Sequence, residues 1–259
     1  MTDFHTHILP GIDDGSPDIE TTSEMIHMEM ETGVDCIVAT PHFYAHRMTV
    51  GGFLKNRSQA ICKVREYYDR LSGPVPKIMV GAEVYYFAGM GRAKMLPLLT
   101  IAGTDTILVE MPFEQWEQRQ LEDLQDLIRK QKMKVVLAHV ERYIEFQKDK
   151  RIWNAVMDMD LIPQINAGSF RHRKEGFFRR DVKRRFCLDF VREHPSFIMG
   201  SDCHNMTSRR PNLFEGRREL REALGDQALA RSDAAAVSML PGAVDIMGPD
   251  YRKALISAD

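Results

Sequence analysis

Short apolar runs recur along this chain, and nearly every one stops at a side chain able to bind a metal ion. Asp3-Phe4 runs into His5, Asp35-Cys-Ile-Val-Ala-Thr40 into Pro41-His42, Lys77-Ile-Met-Val-Gly-Ala82 into Glu83, and Thr106-Ile-Leu-Val109 into Glu110. Lys134-Val-Val-Leu-Ala138 stops at His139, Leu161-Ile-Pro-Gln-Ile165 at Asn166, and Ser196-Phe-Ile-Met199 at Gly200-Ser201-Asp202-Cys203-His204. Between them the spacing predicts helices. One is expected after Ser16-Pro17, with Ser16 as N-cap and Gly33 as the stop, and others over Leu54–Leu71, Gln115–Lys132 and Ile152–Met159. A further helix is expected on the stripe Phe178, Val182, Phe186 and Phe190. A strand followed by a helix, repeated about seven times with strands apolar on both faces, implies a parallel sheet. An open sheet would spread the six strand ends His5, His42, Glu83, Glu110, His139 and Asp202 along a line. A (β/α) barrel gathers them at one mouth, and the barrel is the expected fold.

Two residues apart on a strand, His5 and His7 share a face about 7 Å apart. Asp13-Asp14-Gly15 follows in a loop, and imidazole with carboxylate suits zinc, iron or manganese. Asp202 and His204 also share a face, while Cys203 between them points away. Donors this numerous exceed the four of a closed zinc site. They imply two or three ions with bridging carboxylates, an arrangement suited to hydrolytic displacement at phosphorus.

His5-Thr-His7-Ile-Leu-Pro-Gly-Ile-Asp-Asp14-Gly, Thr40-Pro-His42, Gly81-Ala-Glu83, Val109-Glu110-Met-Pro, Ala138-His139-Val-Glu-Arg142-Tyr, Ile165-Asn-Ala-Gly-Ser and Ser201-Asp202-Cys-His204-Asn together resemble the polymerase and histidinol phosphatase (PHP) superfamily. More closely they resemble its bacterial protein tyrosine phosphatases of capsule and exopolysaccharide synthesis. The likeness runs in order from residue 3 to about Pro211. It implies a distorted (β/α)7 barrel of PHP type holding three divalent ions, manganese, iron or zinc. By position, one ion would take His5, His7, Glu83 and Asp202. A second would take Glu83, Glu110 and His139, and a third Asp14, His42 and His204, with Asp13 as the alternative to Asp14. Arg142 and Arg209 align with phosphate-binding arginines, and Asp14 or a metal-bound water would protonate the leaving phenolate. The family motif His-Pro-Glu-Arg-Tyr reads His139-Val-Glu-Arg-Tyr here, and Arg-Pro-Pro reads Arg209-Arg210-Pro211, so Arg210 competes with Arg209. The implied partner is a phosphotyrosine protein, the tail of a bacterial tyrosine kinase.

Three rival readings are open to test. Cys203 and Arg209 have the Cys-x5-Arg spacing of thiol phosphatases, but no glycine lies between them and Asp202 opposes a thiolate. A small-molecule phosphomonoesterase of histidinol-phosphatase type would place histidines where Asp14 and Glu110 stand. A barrel that binds metal only to sense it would not need both arginines.

No repeat or linker divides the 259 residues, so one domain spanning 1–259 is expected, with no chemistry legible in roughly the last forty residues. A net charge of −2 gives no field for nucleic acid, and no apolar run reaches membrane-spanning length. Four dispersed cysteines fit a reducing, cytoplasmic setting, and a cleaved leader is not expected with ligands beginning at His5. The basic stretch Arg171–Lys174 and Arg179–Arg185 is expected to be a solvated helix face, with docking of an acidic phosphotyrosine-rich tail as the alternative.

Overall fold

The computed structural model describes residues 1–70, 73–171 and 182–255. The strands are β1 (Thr2–Thr6), β2 (Cys36–Ala39), β3 (His42–Phe43), β4 (Lys77–Val80), β5 (Glu83–Tyr85), β6 (Thr106–Glu110), β7 (Lys134–Leu137), β8 (Leu161–Asn166) and β9 (Ile198–Gly200). The helices are α1 (Ile19–Glu31), α2 (Val50–Asp69), α3 (Gln118–Arg129), α4 (Lys150–Met157), α5 (Val182–Glu193), α6 (Leu213–Leu224) and α7 (Asp226–Ser238). All strand pairs are parallel, in the orders β1-β2-β4 and β3-β5-β6-β7-β8-β9.

Backbone hydrogen bonds join these two sheets into a ring. Gly81 N–H donates to Ala39 O at 2.9 Å and Glu83 N–H to Pro41 O at 3.0 Å, so β2 continues into β3 and β4 into β5 after a short break. At the other seam Asp202 N–H donates to His5 O at 2.8 Å and His7 N–H to Cys203 O at 2.9 Å. With each broken strand counted once, seven positions surround one axis among the described residues. This is the barrel that the strand ends favoured, with the seven distorted strands that the resemblance implied.

Period-2 alternation sorts the core into two shells. Val38, Met79, Leu108, Val136 and Ile198 belong to an inner cluster, while Ile37, Ile78, Ile107, Val109 and Val135 pack in the outer one beneath the helices. Ala235, Ala236 and Met239, at the end of α7 and just beyond it, join the inner cluster. The segment that follows hydrogen-bonds to β4 and to the loop before β6, Ile246 N–H to Ile78 O at 2.8 Å and Val244 N–H to Ala102 O at 2.9 Å. The C-terminal stretch thus packs on the barrel, although its sequence carries no legible chemistry.

Three local expectations are corrected. Asp18, not Ser16, caps α1: its carboxylate accepts the Thr21 N–H at 2.8 Å, while the Ser16 hydroxyl donates to Asp18 O. His42 and Glu83 do not close β2 and β4; each opens a new short strand, and the two pair with each other. On α5 the buried residues are Cys187, Leu188, Phe190 and Val191, and Val182 is exposed. Phe186 and Phe190 of the expected stripe do pack on the core, and Val182 departs because the core lies toward the C-terminal half of that helix. Phe178 and the basic residues 172–174 and 179–180 lie outside the described residues, as do Leu71 and Ser72.

Candidate metal centre

The inner register carries the donors outward from the core. Val38, Thr40 and His42 follow one another on the same face, as do Met79, Gly81 and Glu83, and Leu108 and Glu110. His5 and His139 are out of step with Phe4 and Ala138, and local irregularities correct them. The β1–β2 register shifts between Asp3 and Thr6, and His139 adopts a left-handed backbone at φ 30°. Asp202 is left-handed too, at φ 55°. Such strain in non-glycine residues persists where surrounding structure fixes it.

Glu83 is the hub. Its Oε2 lies 3.2 Å from His5 Nε2, 3.3 Å from His7 Nε2 and 2.9 Å from His42 Nδ1, and its Oε1 lies 3.0 Å from His139 Nε2. Glu110 Oε1 stands 3.5 Å from His139 Nε2, and Asp202 Oδ1 stands 3.5 Å from His7 Nε2 and 3.7 Å from His5 Nε2. Asp14 Oδ1 is 3.6 Å from both His42 Nε2 and His204 Nε2. All nine sequence-predicted donors therefore meet at one mouth. Three groups have donor atoms close enough for a shared ion: His5, His7 and Glu83; His42, Glu83 and Glu110; and His7, Asp14, His42 and His204. His42 stands between two of these groups, and His7 likewise.

Second partners set which nitrogen of each ring faces inward. Gln164 Oε1 accepts the His139 backbone N–H at 2.8 Å and lies 3.0 Å from His5 Nδ1, so Nδ1 carries the proton and Nε2 is left for an ion. His7 Nδ1 donates to Asp13 Oδ2 at 2.7 Å, and His204 Nδ1 to Asp202 O at 3.0 Å. Asp13 also accepts the His42 and Gly15 backbone N–H groups, at 2.9 Å each. Asp13 is thus a positioning residue for His7, and its neighbour Asp14 is the carboxylate that faces the cluster.

The donor set fits divalent cations. Glu83 Oε2, His42 Nδ1 and His204 Nε2 are buried and have no aligned hydrogen-bond partner, although they converge on other donors. Buried polar atoms are normally satisfied, and an ion would satisfy these. The charge balance agrees. Burial alone would lower His7, but Asp13 and Glu83 raise it to about 10, and Glu110 and Glu83 likewise overcome burial to raise His139 to about 10. Burial would raise Glu83, yet His5, His139 and His42 hold it well below the usual carboxylate range. In this way the carboxylates call for positive charge at the spot where cations would supply it. Burial and the neighbouring His7 push His204 down to about 3, which keeps it neutral and able to ligate.

The two arginines reach the same carboxylate. Arg209 Nη2 donates to Asp202 Oδ1 at 2.7 Å, and Arg142 Nη1 lies 3.7 Å from Asp202 Oδ2. Arg210 turns away to Glu215, at 3.7 Å. Cys203 is fully buried, and burial with Glu29 and Asp3 nearby pushes its thiol well above the ordinary value. Thiolate chemistry therefore has no nucleophile at the mouth. Sequence reasoning gave no role to Gln164, Asn166 or Tyr143. Asn166 donates to Asp202 Oδ2 at 2.8 Å, and the Tyr143 hydroxyl accepts the Met111 N–H at 3.0 Å beside His139. A polar Gln within an apolar strand was the one available signal.

A family model described as capsular polysaccharide synthesis, CpsB/CapC, matches residues 1–234. The tyrosine-protein phosphatase YwqE of Bacillus subtilis is 29% identical over 235 residues, covering 88% of this chain and 86% of its own. The tyrosine-protein phosphatase CpsB of Streptococcus agalactiae is 26% identical over 225 residues, covering 83% and 87%. Among solved structures, one from a study of YwqE from Bacillus subtilis and CpsB from Streptococcus pneumoniae, described as unique metal-dependent tyrosine phosphatases, superposes with a TM-score of 0.77. It is 24% identical to this chain, covers 95% of it and 96% of its own length, and shares the fold.

Proposed function

The chain belongs to the CpsB/CapC family of capsular polysaccharide synthesis proteins, and from that premise we propose that it is a metal-dependent protein tyrosine phosphatase. The observation that carries the proposal is Glu83, one buried carboxylate within 3.3 Å of four imidazoles and with an oxygen that no protein donor satisfies. The family's relatives, named as tyrosine phosphatases, support the substrate class.

Three divalent cations of manganese, iron or zinc are proposed. His5, His7, Glu83 and Asp202 would hold the first. Glu83, Glu110 and His139 would hold the second, with His42 Nδ1 also near that pair of carboxylates, and Asp14, His42 and His204 the third. Bound there, the ions supply Lewis acidity and lower the pKa of water for in-line attack on phosphorus. The protein's own part is orientation. Gln164 and Asp13 fix His5 and His7, and the left-handed turns at His139 and Asp202 aim those side chains inward. Arg209 and Arg142, now on Asp202, would fork onto phosphoryl oxygens and offset developing charge. The departing phenolate would take its proton from a water held at the mouth or, where Asp14 is not engaged with an ion, from Asp14, whose side chain is 68% exposed.

The proposed substrate is a phosphotyrosine protein, with the tail of a bacterial tyrosine kinase of capsule or exopolysaccharide synthesis as the physiological one. The proposed setting is cytoplasmic: the four cysteines are free, and among the described residues no helix is long and apolar enough to cross a membrane. Residues 1–259 are taken as one domain, because the C-terminal segment packs on the barrel itself.

Metal analysis of the purified chain, with phosphotyrosyl-peptide hydrolysis before and after chelation, tests the reading. Turnover lost on chelation and restored by manganese, iron or zinc is expected. Faster hydrolysis of histidinol phosphate than of any phosphotyrosyl peptide would move the chain to the small-molecule branch. No turnover with any of the three metals would leave a metal sensor.

A further inference from the structure

The mouth of the barrel has two chemically different halves. Arg142 and Arg209 follow β7 and β9 and meet at Asp202. Tyr44 follows β3, Tyr85 ends β5 and Phe113 follows β6, on the other arc. Tyr44 and Tyr85 each lie two residues beyond His42 and Glu83. Strand periodicity therefore puts both rings on the donor face, about 7 Å further toward solvent. The pairing of His42 with Glu83 and Phe43 with Val84 sets the two tyrosines side by side, with ring centroids 5.5 Å apart. Tyr44 lies 5.1 Å from the His42 ring. Phe113, beyond Glu110 across Met111-Pro112, lies 6.0 Å from the His139 ring with the Arg142 guanidinium 4.6 Å from its centroid.

Burial separates these rings from ordinary core aromatics. Tyr143 and Trp116, in the same wall, are buried completely or nearly so. Tyr44, Tyr85 and Phe113 are only half-buried, so each keeps apolar surface open at the rim of the cluster. Exposed aromatic faces beside a polar centre are costly to leave bare and favour a flat apolar guest. A phosphate held between the donors and the arginines would send its ester substituent outward past these rings. A phenyl group would pack against them, whereas a seryl phosphate, one methylene from its backbone, would have to bring peptide groups beside them.

We infer that Tyr44, Tyr85 and Phe113 form a ring-binding wall that makes the site select aryl over alkyl phosphate monoesters. The inference rests on the phosphatase reading and supplies its specificity. It is tested with two non-hydrolysable probes, phenylphosphonate and methylphosphonate, as competitive inhibitors of phosphotyrosyl-peptide hydrolysis and as ligands in direct binding to the metal-loaded full chain. Wild type is expected to prefer the phenyl probe. Tyr44→Leu and Tyr85→Leu should each cut that preference by about three- to tenfold, the range for losing one aromatic pair, while methylphosphonate binding stays unchanged. Tyr44→Phe should keep the preference, and metal content should stay at the wild-type value throughout.

Equal weakening of both probes would mean that the rings merely support His42, and would overturn the inference. So would a wild-type chain that hydrolyses phosphotyrosine without distinguishing the probes. Ring-selective binding with no hydrolysis of any phosphotyrosyl peptide would sink the phosphatase reading alone and leave the wall in place.

Discussion

One amide oxygen, Gln164 Oε1, fixes two histidines of the cluster: it lies 3.0 Å from His5 Nδ1 and accepts the His139 backbone N–H at 2.8 Å. The same side chain donates to Asn166 Oδ1 at 2.9 Å, and Asn166 donates to Asp202 Oδ2 at 2.8 Å. A chain of oriented groups thus runs behind the proposed ligands from β1 to β9. Gln164→Leu keeps the volume and removes the acceptor, so His5 is free to present the wrong nitrogen. Metal retention during dialysis should fall by about ten- to a hundredfold, the range for losing an outer-shell partner. Metal-to-protein ratios measured at graded chelator concentrations check this, and a wild-type retention curve would refute it.

Gly200 leaves no room for a side chain where β9 meets β1. A Cβ at 200 would fall 2.6 Å from His5 Cβ, closer than real Cβ atoms come, and a tight 3.0 Å from His5 N. Gly200→Ala must therefore push β9 away from β1, the seam that closes the ring. Overpacking of this kind costs about 1–3 kcal/mol. Thermal unfolding should show the loss of stability, and metal binding should fall with it because His5 moves.

How far the donors were legible depends on strand phase. His42, Glu83 and Glu110 continue the inner alternation of Val38, Met79 and Leu108, so period-2 reasoning finds them and puts them on the correct face. His5 and His139 are out of phase with Phe4 and Ala138. A register shift and a left-handed residue rescue them, and neither leaves a mark in the sequence, so their place at strand ends was legible but their inward facing was not. The new strand at His42 was missed because two residues are too short to show a pattern, and the break at Gly81-Ala82 because an unbroken apolar run reads as one strand. The packing of Ala235, Ala236 and Met239 into the barrel was missed because an alanine-rich helix gives no periodic stripe.

Arg209 and Arg210 should behave differently despite being neighbours. Arg209 Nη2 reaches Asp202 Oδ1 at 2.7 Å, and its backbone is tied by Asn205 Oδ1, which accepts the Arg209 N–H at 3.0 Å. Arg210 faces Glu215 on α6. Arg209→Ala should lower kcat/KM for phosphotyrosyl peptide by about a hundredfold or more, as expected for removing one donor to transition-state charge. Arg210→Ala should leave it within about twofold, because a surface ion pair is worth little. The reverse order in steady-state kinetics would reassign the phosphate contact.

Cys203 offers a decision between two chemistries. Its side chain is wholly enclosed, and its thiol stays protonated because burial pushes its pKa well above the ordinary value. Cys203→Ser should preserve most turnover and cost about 1–3 kcal/mol of stability, since a more polar hydroxyl replaces a fully buried thiol. Complete loss of activity in a folded, metal-loaded variant would restore the thiolate mechanism.

Glu29 on α1 faces Asp3 behind the cluster, and both side chains are fully buried. Both Glu29 oxygens and Asp3 Oδ2 lack a hydrogen-bond donor from any ionised arrangement, so two facing carboxyls bond only if one keeps its proton. Burial first, and Asp3 second, raise Glu29 well above the ordinary glutamate value; burial also raises Asp3. The sign follows from linkage. A group whose folded pKa exceeds its unfolded value binds more protons when folded, so its contribution is fully present below the unfolded pKa of about 4.3 and is lost as pH rises through the folded value. The chain should therefore lose stability from mildly acidic toward alkaline pH through this pair. Glu29→Gln supplies a permanent donor to Asp3 without a titrating proton, so its melting temperature should exceed that of wild type at pH 8 and converge with it near pH 4. Melting curves of both proteins at a series of pH values, with metal content held equal, give the test. A constant difference between the curves across that range would mean that the pair carries no shared proton.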